Sequence, residues 1–163
     1  MNAMTEPDGF LPPRSQWMRC LSSLSPSALK ALAATCTADC EVTDLLMPKA
    51  GLGLLQLRDS ALGEAYFIGE IPLARAHVRI LTPTGRVIEG AAFLMDDRVG
   101  IVKALAILDA VLAAQTPGWQ QVEQALLQGQ QTVLEQERVR KLMIETTRVD
   151  FSLLSAAEEN DDV

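Results

Sequence analysis

Three basic side chains, Arg75, His77 and Arg79, occupy every second position of an apolar segment near the middle of the chain. Side chains of a β-strand alternate between the two faces of the sheet, so a strand over residues 71–81 places all three on one face. The opposite face then holds Ala74, Ala76, Val78 and Ile80. Guanidinium groups bind phosphate or phosphonate oxygens through two parallel hydrogen bonds, so one interpretation of this face is an anion site.

The same pattern is also typical of a solvated outer face, in which Arg75 and Arg79 pair with cross-strand acids such as Glu89. Charge rows of this kind are common in antiparallel sheets, which favours the solvated face. His77 has no partner carboxylate at a recognisable spacing, so a surface or hydrogen-bonded histidine is favoured over a general base. Arg75, Arg79 and His77 are therefore anion-binding candidates, and no catalytic residue is assigned.

Motifs for metal, nucleotide and serine chemistry are missing from the sequence. Cys36 and Cys40 have no second ligand pair, so two buried thiols are favoured over a zinc site and no metal is expected. Gly51 and Gly53 lack the further residues of a phosphate-binding loop and instead predict a hairpin turn. One histidine and no Gly-x-Ser-x-Gly motif argue against a serine hydrolase.

A sheet must carry the basic face, and residues 39–95 alternate with a period of two. Short apolar runs separated by turn residues predict an antiparallel β-meander of five strands. The predicted strands lie at about 40–47, 52–58, 64–69, 71–81 and 86–95. Residues 82–85 (TPTG) are the clearest turn, because proline fixes φ and glycine permits a positive φ, so the last two strands should form a hairpin.

Helices are predicted on both sides of these strands in the chain. Residues 14–37 predict a helical hairpin, with Ser25 as the cap of its second helix and Pro26 at that helix's first position. A later helix, capped by Asp96 or Asp97, should cover one face of the sheet. The predicted class is therefore α+β: an N-terminal helical hairpin, a five-stranded antiparallel meander and C-terminal helices packed on one face.

The last helix has few apolar residues among many Gln, Glu, Arg and Lys. Gly129 in mid-helix costs about 1 kcal/mol relative to alanine, so either the helix breaks there or packing from outside holds it together. Its apolar residues are either a core stripe or the contact face of an arm for another protein. We favour the arm, because a helix with few core contacts is hard to stabilise alone. The partner-interface candidates are Val133, Leu134, Val139 and Leu142.

The composition, 48% hydrophobic and 21% charged over 163 residues, is that of a globular protein. A net charge of −7 gives no global attraction to nucleic acid or anionic lipid, so neither partner is expected. No run approaches the roughly 18–20 uncharged residues of a membrane span. Acids replace the basic start of a signal peptide, so a cytoplasmic location is expected. We predict a disordered start over 1–13, one domain over 14–153 and an acidic disordered tail over 154–163.

Segments spread over most of the chain resemble one known family. They are residues 14–18 (RSQWM), 39–42 (DCEV), 67–70 (FIGE) with 73–79 (LARAHVR), 106–111 (AILDAV) and 147–151 (TRVDF). In this order and spacing they resemble PhnG, a small subunit of the carbon–phosphorus lyase system that degrades phosphonates. The domain predicted over 14–153 is accordingly PhnG-like.

This resemblance implies a function within a complex. PhnG-like chains act with PhnI-, PhnH- and PhnJ-like subunits in a soluble core complex that holds two copies of each. The step attributed to the PhnG and PhnI pair uses MgATP and a phosphonate such as methylphosphonate. The phosphonate oxygen displaces adenine at C1 of the ribose, which gives α-D-ribose 1-methylphosphonate 5-triphosphate. The resemblance thus implies a transferase subunit that binds no cofactor of its own, with MgATP as a substrate of the complex.

The residue types in this chain indicate a secondary role in that step. Displacement at an anomeric carbon passes through an oxocarbenium-like state, which needs a leaving-group acid and charge stabilisation. With one histidine and no paired-carboxylate motif here, we expect the main catalytic residues on the PhnI-like partner, while Arg75 or Arg79 contacts a phosphate or phosphonate group. The alternatives are a structural adaptor that touches no substrate and a free-standing domain that binds a small ligand.

Overall fold

Helices pack on a three-stranded antiparallel sheet in the computed structural model, which describes residues 11–146. In chain order the elements are α1 (Arg14–Leu21), α2 (Pro26–Cys36), β1 (Glu41–Arg58), β2 (Ala65–Leu81), β3 (Val87–Leu94), α3 (Val99–Ala114) and α4 (Trp119–Thr146). The predicted α+β class is confirmed. Residues 1–10 of the predicted disordered start and the whole predicted tail, 154–163, lie outside the described residues.

The prediction of five strands is wrong, because residues 11–146 contain one sheet of three strands in the order β1–β2–β3. β1 spans the first two predicted strands, and β2 spans the next two. The hairpin turn predicted at Gly51 and Gly53 does not form. Both glycines instead lie within β1, where they pair with Leu73 and Ile71 of β2.

β-Bulges accommodate other turn-forming residues within β1 and β2, so those residues do not end the strands. The register between β1 and β2 shifts between Leu46 and Lys49, so Pro48 lies at an irregularity of an edge strand, where its missing N–H is tolerated. Another shift lies beside Gly69 of β2, whose φ of 144° is readily adopted only by glycine. A bulge and a turn use the same residue types, so alternation alone does not distinguish them.

The start of α2 follows the prediction. Ser25 precedes the helix in an extended conformation, and its hydroxyl accepts a hydrogen bond of 3.2 Å from the backbone N–H of Ala28, with Pro26 at the first position. The predicted cap of the later helix is wrong. α3 begins at Val99, and the Asp96 carboxylate instead accepts a hydrogen bond of 2.9 Å from the backbone N–H of Arg98 in the preceding loop.

The buried face of β2 lies at the centre of the core. Its residues Ala74, Ala76, Val78 and Ile80 are each 2% exposed or less, as the alternation predicts. α3 packs on this sheet and is buried along most of its length. At Gly90 of β3, a Cβ would lie 2.2 Å from the backbone oxygen of Ala106, so only glycine lets the helix approach this closely.

α4 packs against α1, α2 and α3 and runs without interruption through Gly129. A Cβ at Gly129 would lie 2.1 Å from the backbone oxygen of Cys20 in α1. Close backbone contact between the two helices, rather than a break, therefore accounts for the mid-helix glycine. From Leu134 to Thr146 every residue of α4 is exposed.

No single described helix is long and apolar enough to cross a membrane. α3 and α4 meet the length and composition of a span only when taken together, across a bend of 115°. The apolar part of that pair is α3, which the sheet and the other helices already bury.

We expect Gly129→Ala to lower the free energy of unfolding by about 1–3 kcal/mol, because the added methyl group forces α1 and α4 apart. Alanine is the better helix former by about 1 kcal/mol, so the expected sign is opposite to that of helix propensity. Chemical denaturation measures the change. Gly100→Ala in α3 is the control, because its Cβ would meet only the flexible end of Lys30. Equal stability of Gly129→Ala and the unmodified chain would contradict the close contact.

Candidate functional site

Arg79, at one end of the basic face of β2, is held in an ion pair. Its Nε and Nη2 donate hydrogen bonds of 2.9 and 2.8 Å to Oε1 of Glu89, the residue directly opposite on β3. His77 Nε2 lies 3.3 Å from the other carboxylate oxygen. The hydrogen bond from Arg79, followed by the charges of Arg79 and His77, lowers the pKa of Glu89. Arg79 thus has the cross-strand partner that the solvated-face interpretation expects.

Arg75 differs from Arg79 in having no such partner. It is exposed and forms no ion pair or side-chain hydrogen bond with any residue in the described part of the chain. Its neighbour on β3 is Phe93, an apolar residue. The guanidinium of Arg75 therefore keeps its hydrogen-bond donors available for a ligand.

A shallow groove of about 630 Å³ connects Arg75 and His77 to the helices. Its lining residues from α1 and α3 include Arg14, Met18 and Asp109. The groove therefore joins three of the segments on which the family resemblance rests, residues 14–18, 73–79 and 106–111. We define this groove as the candidate functional site.

An ion pair with a buried carboxylate holds the wall of the groove together. Arg14 Nε donates to Asp109 Oδ1 at 3.0 Å, and Arg14 Nη2 donates to Oδ2 at 2.7 Å. The backbone N–H of Ala91 donates to Oδ2 at 3.2 Å. The Asp109 side chain is 5% exposed and that of Arg14 is 59% exposed. One carboxylate thus ties the start of α1 and the edge of β3 to α3, and it leaves the outer side of the guanidinium accessible.

Sequence reasoning did not identify Arg14 or Asp109 as site residues. The available signal was Asp109, an acid within a strongly apolar helix, because a carboxylate on a buried helix needs donors to satisfy it. Its partner lies 95 residues away in the chain, so no local pattern indicates which cation that is.

The cysteines lie away from the groove. Cys36 and Cys40 line a separate cavity of about 530 Å³, and burial raises the pKa of both thiols. The Cys36 thiol lies 3.8 Å from the backbone oxygen of Gly118. Within residues 11–146 no group of three or more His, Cys, Asp or Glu side chains is placed to hold a metal ion.

The partner-interface candidates of α4 fall into two groups. Val133 is 9% exposed and is therefore covered by the chain's own residues. Leu134, Val139 and Leu142 are 52%, 38% and 50% exposed. They belong to the helix segment 134–146. An ion pair between Glu137 of this segment and Arg19 of α1 connects it to the rest of the described chain.

A second exposed apolar element was missed from the sequence. β3 pairs with β2 only from Ala74 onward, whereas β1 and β2 stay paired to their far ends. Residues 51–73 therefore form a two-stranded projection, which we call the hairpin arm. Leu52, Leu54 and Phe67 are all exposed there, on the face continuous with the buried side of β2. The turn predicted at Gly51 and Gly53 divides β1 into two strands at the base of this arm, so the sequence does not predict a continuous projection.

We expect Asp109→Asn to lower the free energy of unfolding by about 1–3 kcal/mol, because an amide nitrogen accepts no hydrogen bond from Arg14 or Ala91. Thermal or chemical denaturation of the full chain measures the loss. Asp97→Asn, at an exposed carboxylate before α3, is the control and should cost no more than about 0.5 kcal/mol. Equal effects of the two substitutions would contradict the structural role of the buried carboxylate.

Comparison with known proteins agrees with the resemblance seen in the segments. A family model described as phosphonate metabolism protein PhnG matches residues 12–155. A search of curated proteins gives no match. The matched region contains the groove, the hairpin arm and α4. The chain therefore belongs to the PhnG family of phosphonate metabolism proteins.

Proposed function

We propose that this chain is a subunit of α-D-ribose 1-methylphosphonate 5-triphosphate synthase, and that it acts with a PhnI-like subunit to displace adenine from MgATP with a phosphonate. Membership of the PhnG family supports a role in phosphonate metabolism. The observation that carries the substrate contact is the unpaired Arg75 in the groove. The proposed assembly also contains PhnH- and PhnJ-like subunits, with two copies of each chain, and it works in the cytoplasm, where MgATP is available.

The groove supports a role in binding charge rather than in transferring a proton. Asp109 is the only acid among the described residues that line the groove, and three hydrogen bonds already occupy its carboxylate. Loss of adenine needs a group that protonates the leaving base and a group that stabilises the oxocarbenium-like state. We therefore assign the acid to the PhnI-like partner and a contact with the substrate's negative charge to this chain.

Arg75 is the side chain to which we assign that contact. Its planar guanidinium can donate two parallel hydrogen bonds to a phosphate or phosphonate group. Arg79 is a weaker candidate, because binding an anion would first require it to leave Glu89. His77 lines the groove and lies beside the same Glu89 carboxylate.

The exposed apolar parts of the chain support its assembly with a partner. A two-stranded hairpin is marginally stable alone in water, and the hairpin arm extends beyond the third strand with apolar residues uncovered. The segment 134–146 of α4 is likewise exposed on all sides. Exposed apolar patches of this kind are typical of protein–protein contacts. We propose that the PhnI-like subunit covers the exposed segment of α4.

A purely structural adaptor is the second candidate function. The same two projections favour it, because an adaptor needs contact surfaces but no substrate-binding residue. The two hypotheses differ in what they require of Arg75, since only a substrate contact makes that guanidinium necessary after the complex has formed.

We expect Arg75→Gln to reduce phosphonate-dependent adenine release by about tenfold or more, because it removes a charge-assisted contact with the substrate. The assay combines MgATP, methylphosphonate, the PhnI-like partner and the other accessory subunits, with and without this chain. The double variant Arg79→Gln with Glu89→Gln is the control, because it removes the neighbouring ion pair without changing the net charge. We expect it to retain activity.

Two results would contradict the proposal at different levels. If Arg75→Gln assembles and keeps full activity, Arg75 makes no necessary contact with the substrate, and the adaptor hypothesis is favoured. If the ribose phosphonate ester forms equally well when the chain is omitted, the synthase proposal itself fails.

We expect the double variant Val139→Glu with Leu142→Glu to abolish co-purification with the PhnI-like subunit, because two carboxylates would be buried at the contact without partners. The thermal unfolding of the chain alone should change little, since both positions are exposed. Size-exclusion chromatography of the co-expressed subunits measures assembly. Gln124→Glu with Gln128→Glu, at exposed positions of the same helix, adds the same charge and should not affect it. Normal assembly of the α4 variant would contradict the contact.

A further inference from the structure

Lys49 of β1 lies directly opposite Arg75 in the sheet register. Both side chains are exposed, and neither forms an ion pair or side-chain hydrogen bond with any residue between 11 and 146. Like charges directly opposite each other destabilise an antiparallel pair. On β3 the adjacent position is Phe93, so no acid from that strand compensates the two cations.

Within the described residues, the neighbouring cross-strand pairs place no acid beside these two cations either. The next cross-strand pair toward the body is Leu46 with His77, and His77 is itself directed to Glu89. The next pair toward the hairpin arm is Gly51 with Leu73, which carries no charge. Lys49 and Arg75 therefore concentrate two positive charges at the base of the arm, in a chain whose net charge is −7.

The same two cations border a small cavity. It measures about 280 Å³, and its lining includes Lys49, Gly51, Leu73, Arg75 and Phe93. Gly51 lies on the same face as Lys49, and no atom lies within 4 Å of the position that a Cβ would take there. The glycine thus leaves open space beside the cations. Arg75 and Phe93 also line the candidate groove, so the two spaces adjoin.

We infer that Lys49 and Arg75 together bind a tetrahedral phosphorus oxyanion in this cavity. Arg75 provides two parallel donors in one plane, and Lys49 provides a compact charge from the opposite strand. An anion between them turns the repulsion between the cations into two attractive contacts. The inference rests on the proposed function and deepens it, because it names the pair of residues by which this chain holds the substrate. Lys49 was not among the sequence candidates.

Two groups in the proposed reactants are tetrahedral phosphorus oxyanions: the triphosphate of ATP and the phosphonate. Both present tetrahedral phosphorus with charged oxygens, so the cations alone do not distinguish them. The probes that do are inorganic tripolyphosphate and methylphosphonate.

The test titrates each probe into the full-length chain alone, in chloride buffer at constant ionic strength, and follows backbone amide signals by NMR. We expect saturable binding of at least one probe, with the largest shifts at residues 49–51 and 73–75. Lys49→Gln and Arg75→Gln should each raise Kd by about tenfold. The control is Lys30→Gln, at an exposed position of α2, which removes the same charge elsewhere and should leave Kd unchanged.

Several outcomes decide the inference. Tighter binding of tripolyphosphate assigns the site to the triphosphate, and tighter binding of methylphosphonate assigns it to the phosphonate. The absence of saturable binding of both probes overturns the inference, as does an equal weakening by Lys30→Gln, which would show only an effect of net charge.

The adenine-release assay separates this inference from the proposed function. If the chain stimulates release and Lys49→Gln behaves like the unmodified chain in both assays, the inference fails while the proposed function stands. If the chain does not stimulate release but both substitutions abolish binding, the proposed function fails while the oxyanion site stands.

Discussion

The arrangement of the groove depends on one buried carboxylate. Removing Asp109 from water costs several kcal/mol unless donors replace the water, and the two donors of Arg14 with the N–H of Ala91 do so. Because these donors come from α1 and the edge of β3, satisfying the carboxylate fixes both relative to α3. The apolar packing of α3 on the sheet is non-directional and would tolerate small shifts. The ion pair specifies one position, and that position places Arg14 beside the basic face of β2.

Backbone contact imposes a second constraint on the helices. Gly90 lets α3 rest on β3, and Gly129 lets α4 rest on α1, each at a distance that no other residue allows. These contacts leave little freedom for the helix layers to slide. The rigid body they form presents the groove, while the hairpin arm and the end of α4 project from it.

Local structure was predictable where residues close together in the sequence determine it. The Ser25 cap, Pro26 and the alternation from Ala74 to Ile80 were all read correctly. The number of strands was not predicted correctly, because Pro48 lies at a bulge and the sequence does not distinguish a bulge from a turn. Within the site, sequence alternation placed Arg75, His77 and Arg79 on one face. The difference between the paired Arg79 and the unpaired Arg75 depends on cross-strand register, as does the position of Lys49.

The length of the hairpin arm determines how far this small chain can reach. At about 3.3 Å per residue, the part of β1 beyond the third strand, residues 51–58, extends roughly 26 Å. The irregularity beside Gly69 lies opposite Leu55, in the outer half of this lever, so a change of angle there displaces only the tip. The two cations lie at the base of the lever, where the same change of angle moves them very little. A protein bound to the tip can therefore change its position while the two cations at the base keep theirs relative to the groove.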